Sequence, residues 1–437
     1  MSRDTIFALA SAPGRAGVAV LRVSGPGARA ALETLTAKPA PEPRRAQAAA
    51  FFDAQGAPID RGLALFFAGP SSFTGEDVAE FHVHGGRAVL DAMLGALAAL
   101  GLRPAEPGEF TRRAVENGKL DLTQAEAIAD LVDAETEAQR RQALRQYDGA
   151  LSELYEGWRA DLIGAGAWAE AAIDFSDEDL PAGTLARVRE AISELVTEIR
   201  KHLSDARRGE ILREGLYLAV IGPPNAGKSS LVNWLARRDV AIVAETAGTT
   251  RDVIEVRMDL GGYPVTLADT AGLRDTAEVI EAEGVRRARA RADAADLVLL
   301  LLDGSAADPF AGLPEGTRGD LVVFNKSDLP WPTKRDGIAI SLKTGVGMDA
   351  MIGALTAKVR ERLERPTETP VLTRARHRRA LEDAVRSLEH AVAARDDQPE
   401  LLAEDLRLAL RSIGRITGRV DIEDVLDVEF RDFCIGK

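Results

Sequence analysis

Hydrophobic positions fall into successive regimes along the 437 residues. Up to about residue 117, short β-rich runs such as 18–23 mix with helical stretches such as 89–100, and a proline-rich loop occupies 39–43. From Leu120 the period turns helical. Leu151, Leu154, Tyr155, Trp158 and Leu162 share one face, as do Leu185, Val188, Ile192, Leu195, Ile199 and Leu203. Such stripes read as bundle core rather than as the lining of a ligand site. Beyond residue 213, solid apolar runs at 216–221, 265–268, 297–302, 321–324 and 338–340 predict strands of a parallel-rich sheet flanked by helices. Pro366 and Pro370 close that stretch, after which Leu402, Leu406, Ala409, Ile413 and Ile416 restore a helical stripe.

The pattern predicts an α/β and α multidomain chain. An N-terminal α+β domain covers 1–117, a discontinuous helical domain covers 118–212 and 369–437, and an inserted α/β domain covers 213–368, with both chain ends meeting at the first domain. Length agrees, since 437 residues exceed one core and suit about three domains. Hydrophobic residues make up 46% and there is no repetitive block, so folding throughout is expected. The start, Met1-Ser-Arg-Asp, lacks a signal-peptide pattern, and the apolar run 297–302 is far shorter than the roughly 20 residues a spanning helix needs. A single cysteine, Cys434, leaves no internal disulfide or thiolate-rich metal cluster and fits a reducing compartment, so a cytoplasmic protein without a membrane partner is expected. His82 and His84 point the same way on a strand, but no third ligand stands near in sequence, which favours pocket lining over a metal site.

Chemistry is concentrated in the inserted domain. Gly222-Pro-Pro-Asn-Ala-Gly-Lys-Ser229 follows the apolar run 216–221 directly and precedes a helical stretch, 230–236, the context of a phosphate-binding P-loop. Backbone N–H groups there converge on the β-phosphate, Lys228 spans the β and γ oxygens, and Ser229 offers a hydroxyl to Mg²⁺. An ordinary glycine turn is the weaker reading, because strand, loop and helix come in the required order. Asp269-Thr270-Ala271-Gly272 ends another apolar run, placing a carboxylate beside Mg²⁺ and a glycine N–H near the γ-phosphate. Asn325-Lys326-Ser-Asp328 ends the run 321–324, and an Asp there accepts the N1–H and exocyclic N2–H of guanine, a donor pair adenine lacks. Ser341-Leu342-Lys343 follows 338–340 as the last base-side motif. Thr250, in Gly248-Thr-Thr-Arg-Asp252, is the second hydroxyl for Mg²⁺, in a loop that orders when the γ-phosphate is present. Together these define a Ras-like GTP-binding domain whose nucleotide contacts are Asn225, Ala226, Gly227, Lys228, Ser229, Ser230, Thr250, the 269–272 and 341–343 motifs, Asn325, Lys326 and Asp328.

The water-handling group is unusual. Leu273 stands where Ras-like enzymes carry the glutamine that orients the attacking water, so another residue must act. Acidic candidates lie in 275–283, most of them suited to a solvated loop. Arg251 and Arg274 are near the site but equally suit surface ion pairs, and a cation from solution can replace an arginine finger electrostatically.

Outside this domain, Phe73-Thr-Gly-Glu-Asp77, His84-Gly-Gly86, Pro107-Gly-Glu-Phe-Thr111, Asn117-Gly-Lys-Leu-Asp121 and the terminal Phe433-Cys-Ile-Gly-Lys437 complete a set of motifs. With Ala247-Gly-Thr-Thr-Arg-Asp252 and Asp269-Thr-Ala-Gly-Leu-Arg274, the chain over essentially its whole length resembles the MnmE (TrmE) family of tRNA-modifying GTPases. The resemblance implies that Asn225 and the loop carrying Ala244, Thr246 and Thr249 bind K⁺, which helps G domains pair and replaces the arginine finger; Ala244 departs from the family pattern, leaving its backbone carbonyl as donor. It implies Glu281 as the catalytic glutamate. It also implies that Arg22, Glu80 and Lys119, with Lys437 brought to the same pocket, bind a tetrahydrofolate derivative (5,10-methylene- or 5-formyl-). Cations suit the glutamate tail of a folate and a carboxylate suits its pterin N–H groups. Cys434 is then either a buried small hydrophobe or a neighbour of the folate.

By the same resemblance the protein is a homodimer through its N-terminal domains and works with the FAD-dependent partner MnmG. The pair adds an aminomethyl or carboxymethylaminomethyl group to carbon 5 of the wobble uridine of certain tRNAs, using a one-carbon unit from the folate and electrons from NADH. The competing reading is a ribosome-assembly or other RNA-binding regulatory GTPase. Gly14-Arg-Ala-Gly17 is similar to a KH loop, but Pro13 precedes it and no basic helix pair frames it. A net charge of −14 argues against a general nucleic-acid binder, so contacts to tRNA must be local. Arg374, Arg376, His377, Arg378 and Arg379 form one basic cluster, which a helix face paired with Glu382 and Asp383 explains equally well.

Overall fold

The computed structural model describes residues 4–174, 183–238, 241–242, 256–267, 293–314, 316–317, 319–364, 370–395, 398–420 and 436. Two compact units are present, Met1–Ala129 with Ile413–Lys437, and Asp130–Ser412.

In the first unit β1 (Ile6–Leu9), β2 (Ala16–Ser24), α1 (Ala28–Thr36), β3 (Gln47–Phe52), β4 (Pro58–Phe67), β5 (Val78–Gly85), α2 (Arg87–Ala99), β6 (Arg103–Pro104) and α3 (Glu109–Glu116) follow one another. The six strands make one sheet in the order β3-β4-β5-β2-β1-β6, antiparallel except for the β1–β6 pair. Alternation along the strands buries Leu21, Val23, Phe51, Phe66, Phe81 and Val83 under Leu32, Leu35, Met93 and Leu97 of the two helices. The opposite strand positions keep polar groups, and Arg22 lies across from Glu80 in the β2–β5 ladder.

Helix α4 (Leu122–Val132) opens the helical regime, followed by α5 (Glu137–Tyr147), α6 (Ala150–Asp174), α7 (Thr184–Ser204) and α8 (Ala206–Glu214). Thr136 and Gln139 form a reciprocal capping box at the start of α5. The stripes read from the sequence are the buried faces: Leu151, Tyr155, Trp158 and Leu162 on α6, and Val188, Ile192, Leu195 and Ile199 on α7.

The α/β regime supplies β7 (Leu216–Ile221), α9 (Lys228–Ala236), β8 (Ala241–Ile242), β9 (Val256–Leu260), β10 (Tyr263–Leu267), β11 (Leu297–Asp303), β12 (Leu321–Asn325), β13 (Ile338–Ala339) and α10 (Met348–Leu363). Its sheet runs β13-β12-β11-β7-β10-β9-β8, parallel from β13 to β10 and antiparallel at the β9 and β8 edge. Leu297 to Leu302 are all buried, which is why this strand reads as unbroken apolar sequence. The chain continues through α11 (Ala375–Ala393) and α12 (Pro399–Thr417), where Leu402, Leu406, Ala409, Ile413 and Ile416 are buried as the periodicity requires.

Candidate functional site

The carboxyl ends of β7, β11 and β12 converge, as expected for ligand binding in a parallel sheet. The loop after β7 is held by two glycines for different reasons. A Cβ on Gly222 would stand 1.9 Å from the Leu301 carbonyl oxygen, so glycine lets β7 and β11 leave the sheet side by side. Gly227 has φ +105°, and a Cβ there would meet Asn325 Nδ2 at 2.5 Å. Asn225, also left-handed at φ 61°, completes the turn into α9. Lys228 Nζ donates to the carbonyls of Gly222 and Pro223, each at 2.8 Å. The ammonium thus closes the loop on itself.

Base-side residues join this loop through a short relay. Asn325 Nδ2 donates to the Ala226 carbonyl at 2.9 Å, and Asn325 Oδ1 accepts the Leu342 N–H at 3.1 Å. Ser341 Oγ donates to Asp328 Oδ1 at 2.7 Å and accepts the Thr344 N–H at 3.1 Å. The Ser341 hydroxyl holds the Asp328 carboxyl below the usual carboxylate range. Its carboxylate faces the loop after β13 as a hydrogen-bond acceptor. The structure brings Asn225, Ala226, Gly227, Lys228, Ser229 and Ser230 together with Asn325, Lys326, Asp328, Ser341, Leu342 and Lys343. Ala244, Thr246, Thr249, Thr250, Asp269, Thr270, Ala271, Gly272, Glu281 and Lys437 lie outside the described residues, as do Arg251 and Arg274.

A second polar site forms on the N-terminal sheet. Arg22 Nε donates to Glu80 Oε1 at 3.0 Å, and its guanidinium lies 5.6 Å from the Phe73 ring and 5.8 Å from Phe110. His82 Nε2 is 3.5 Å from Glu80 Oε2. A Cβ on Gly75 would sit 3.3 Å from Lys119 Cγ, and Asn117 Nδ2 donates to the Thr74 carbonyl at 2.6 Å. The loop from Phe73 to Glu76 thus touches both Arg22 and Lys119. Its base is fixed by Ser24, whose hydroxyl reaches Glu76 at 2.7 Å, and by buried Arg113, 3.1 Å from the same carboxylate. Gly436 packs on the end of β1, where a Cβ would lie 2.3 Å from the Leu9 carbonyl oxygen. His84 is paired with Asp60 at 2.9 Å, and no group of three His, Cys, Asp or Glu is placed to hold a metal among the described residues.

A family model described as the MnmE helical domain matches residues 122–434, and one described as the GTP-binding protein TrmE N-terminus matches residues 5–119. The chain belongs to the MnmE family. The protein named tRNA modification GTPase MnmE of Parvibaculum lavamentivorans is 59% identical over 440 residues, covering 99% of this chain and 100% of the relative. That of Rhodospirillum rubrum is 57% identical over 463 residues, covering 100% of both. The solved G domain of the T. maritima FeoB iron transporter aligns with 34% of this chain at 24% identity and a TM-score of 0.25, too slight a likeness to add to the fold argument.

Two residues packed on Lys326 escaped the sequence reading. Asp303, the last residue of β11, pairs with Lys326 Nζ at 2.5 Å, and Trp331 Nε1 donates to the Lys326 carbonyl at 3.1 Å. Burial alone would raise the Asp303 carboxyl, but the Lys326 ammonium and the Ser305 donors outweigh it and lower the group. A signal existed for Asp303: a polar residue ending an apolar strand, the pattern that marks Asp269 and Asn325. Trp331 carried none, because its role arises from packing on Gly304, where a Cβ would meet the indole at 2.3 Å. Two members of the basic cluster at the start of α11 pair with acids from other helices. Arg374 pairs with Asp130 at 3.0 Å, Arg378 with Glu210 at 3.1 Å, and His377 is fully buried beside Tyr155, while Asp383 pairs with Arg386.

Proposed function

We propose that this chain is a GTP-hydrolysing enzyme of tRNA modification. The observation that carries the reading is end-to-end similarity, 59% over 99% of the chain, to a relative named tRNA modification GTPase MnmE. The P-loop and its relay to Asn325 and Asp328 support a guanine nucleotide as ligand.

In this reading Lys228 exchanges its bonds to Gly222 and Pro223 for β and γ oxygens, and Asp328 accepts the N–H edge of guanine. The hydroxyls of Ser229 and Thr250 are hard oxygen donors suited to Mg²⁺, which when bound neutralises phosphate charge. Asn225, with the 244–249 segment (Ala244, Thr246, Thr249), holds K⁺ in the place of an arginine finger. Asp269 to Gly272 sense the γ-phosphate, and Glu281 orients the water. On the N-terminal sheet, Arg22, Glu80, Lys119 and Lys437 hold the tetrahydrofolate derivative. Glu80 accepts pterin N–H groups, and the cations meet the glutamate tail.

The proposed product is a tRNA carrying an aminomethyl or carboxymethylaminomethyl group on carbon 5 of the wobble uridine, made by a homodimer acting with MnmG. The division 1–117, 118–212 with 369–437, and 213–368 is proposed as the domain plan of a cytoplasmic protein. Mass spectrometry of wobble uridines from a deletion strain tests the whole: the modified base disappears, returns with the wild-type gene, and does not return with Lys228→Ala. A deletion strain that keeps the modified base refutes the reading.

A further inference from the structure

We propose that Trp331 and Asp303 are positioning residues of the guanine site, fixing Lys326 so that the 325–328 turn holds the Asp328 carboxylate open to the base, an inference that rests on Asp328 accepting the guanine edge. Neither residue belongs to that motif. Asp303 ends β11, and Trp331 stands three residues past Asp328.

The turn contains a backbone conformation that must be held. Lys326 has φ 65°, left-handed for a residue with a side chain, and such a conformation persists only where its surroundings over-determine it. Three contacts do so. The Lys326 carbonyl accepts the Leu329 N–H at 3.0 Å and the Trp331 indole N–H at 3.1 Å, and its ammonium lies 2.5 Å from the Asp303 carboxylate. Each holding group is itself fixed. The Trp331 ring packs 6.0 Å from that of Phe324 and against Gly304, where a Cβ would leave the indole no room. Asp303 accepts the Ser305 N–H at 3.0 Å and the Ser305 hydroxyl at 2.6 Å, and the Gly304 N–H donates to the Asn325 carbonyl at 2.9 Å. The end of β11 and the 325–328 turn thus form one hydrogen-bonded unit, closed by the indole.

Two consequences reach Asp328. The first is its place. Ser327 donates its N–H to the Ile340 carbonyl at 3.0 Å and Ser341 Oγ donates to Asp328 Oδ1 at 2.7 Å, so both bonds depend on the direction in which Lys326 sends the chain. The second is charge. Lys326 precedes Asp328 by two positions, and a free ammonium there competes for the carboxylate with the neutral N–H donors of a base, since charge-assisted hydrogen bonds are the stronger. Asp303 engages that ammonium, their side chains being 23% and 32% exposed, and Asp328 makes no ion pair among the described residues. The acceptor is left to neutral donors.

The test is equilibrium binding of GDP and IDP to the full-length protein and to its Trp331→Phe, Asp303→Asn and Asp328→Ala variants, with folding checked by circular dichroism. IDP lacks the exocyclic amine, so the ratio of the two Kd values reads the Asp328 contact. Trp331→Phe keeps a ring on Gly304 and loses the N–H, while Asp303→Asn keeps the shape and frees the ammonium. Both are expected to weaken GDP binding about three- to tenfold, the range of one lost hydrogen bond, and to narrow the preference for GDP over IDP, with KM for GTP raised by a similar factor and kcat within about twofold of wild type. A purely structural role would lower the melting temperature and leave the preference and KM where they were. A wild-type preference in either folded variant overturns the proposal, and Asp303→Asn decides alone if Trp331→Phe does not fold. If Asp328→Ala binds GDP as tightly as the wild type, the guanine reading itself fails, and this inference with it.

Discussion

Gly222 and Gly227 belong to the same phosphate-binding motif, yet each is required by a different neighbour. The first lets the backbone of β11 pass at a distance no side chain tolerates, and the second makes room for the Asn325 amide. Asn325 in turn ties the P-loop to Leu342, so a residue chosen from sequence as base-facing also fastens two loops to each other. The water-orienting role proposed for Glu281 is decided by kinetics. Glu281→Ala should leave the Kd for GTP nearly unchanged while single-turnover hydrolysis falls by 10²-fold or more, roughly the scale of a positioned acid–base group. Hydrolysis at the wild-type rate would assign the water to another residue.

Among the elements, α6, α7 and α11 meet at a buried aromatic knot. His202 of α7 lies 3.2 Å from the Tyr155 hydroxyl, with Trp158 5.5 Å away ring to ring and His377 facing the same tyrosine. Burial, with a smaller contribution from His377, lowers the His202 imidazole from 6.5 to about 4. The folded state then refuses a proton that the unfolded chain accepts below about pH 6.5. Stability from this residue is complete above that value and is lost as pH falls toward about 4, to a total of about 3 kcal/mol. Urea midpoints followed by tryptophan fluorescence should drop between pH 7 and pH 5, and His202→Gln should flatten the drop. Equal pH dependence in the two proteins would show that the imidazole is not held neutral. The apolar stripes that announce these helices were plain in the sequence, because a buried helical face repeats every three to four residues. The histidines at their crossing were not, since burial of His202 depends on Trp158 and Tyr155 arriving from another helix.

At the scale of the molecule, the absence of a glutamine at Leu273 and the proposed K⁺ site make one prediction. GTP hydrolysis in NaCl should fall far below that in KCl at matched ionic strength, by about the 10³-fold that sets the lower bound for an arginine finger. Equal rates would turn attention to Arg251 and Arg274. The order of regimes, the strand–loop–helix at 216–236 and the family were legible from residue types and spacing, because each depends on local sequence or on the period of a single element. The tertiary structure alone decided what depends on pairs far apart in the chain. It set Asp303 and Trp331 on Lys326, and gave Arg374 and Arg378 to Asp130 and Glu210. Periodicity tells which face of an element is covered, but not which element covers it. Charges more than two hundred positions apart become neighbours only when packing fixes how their helices cross.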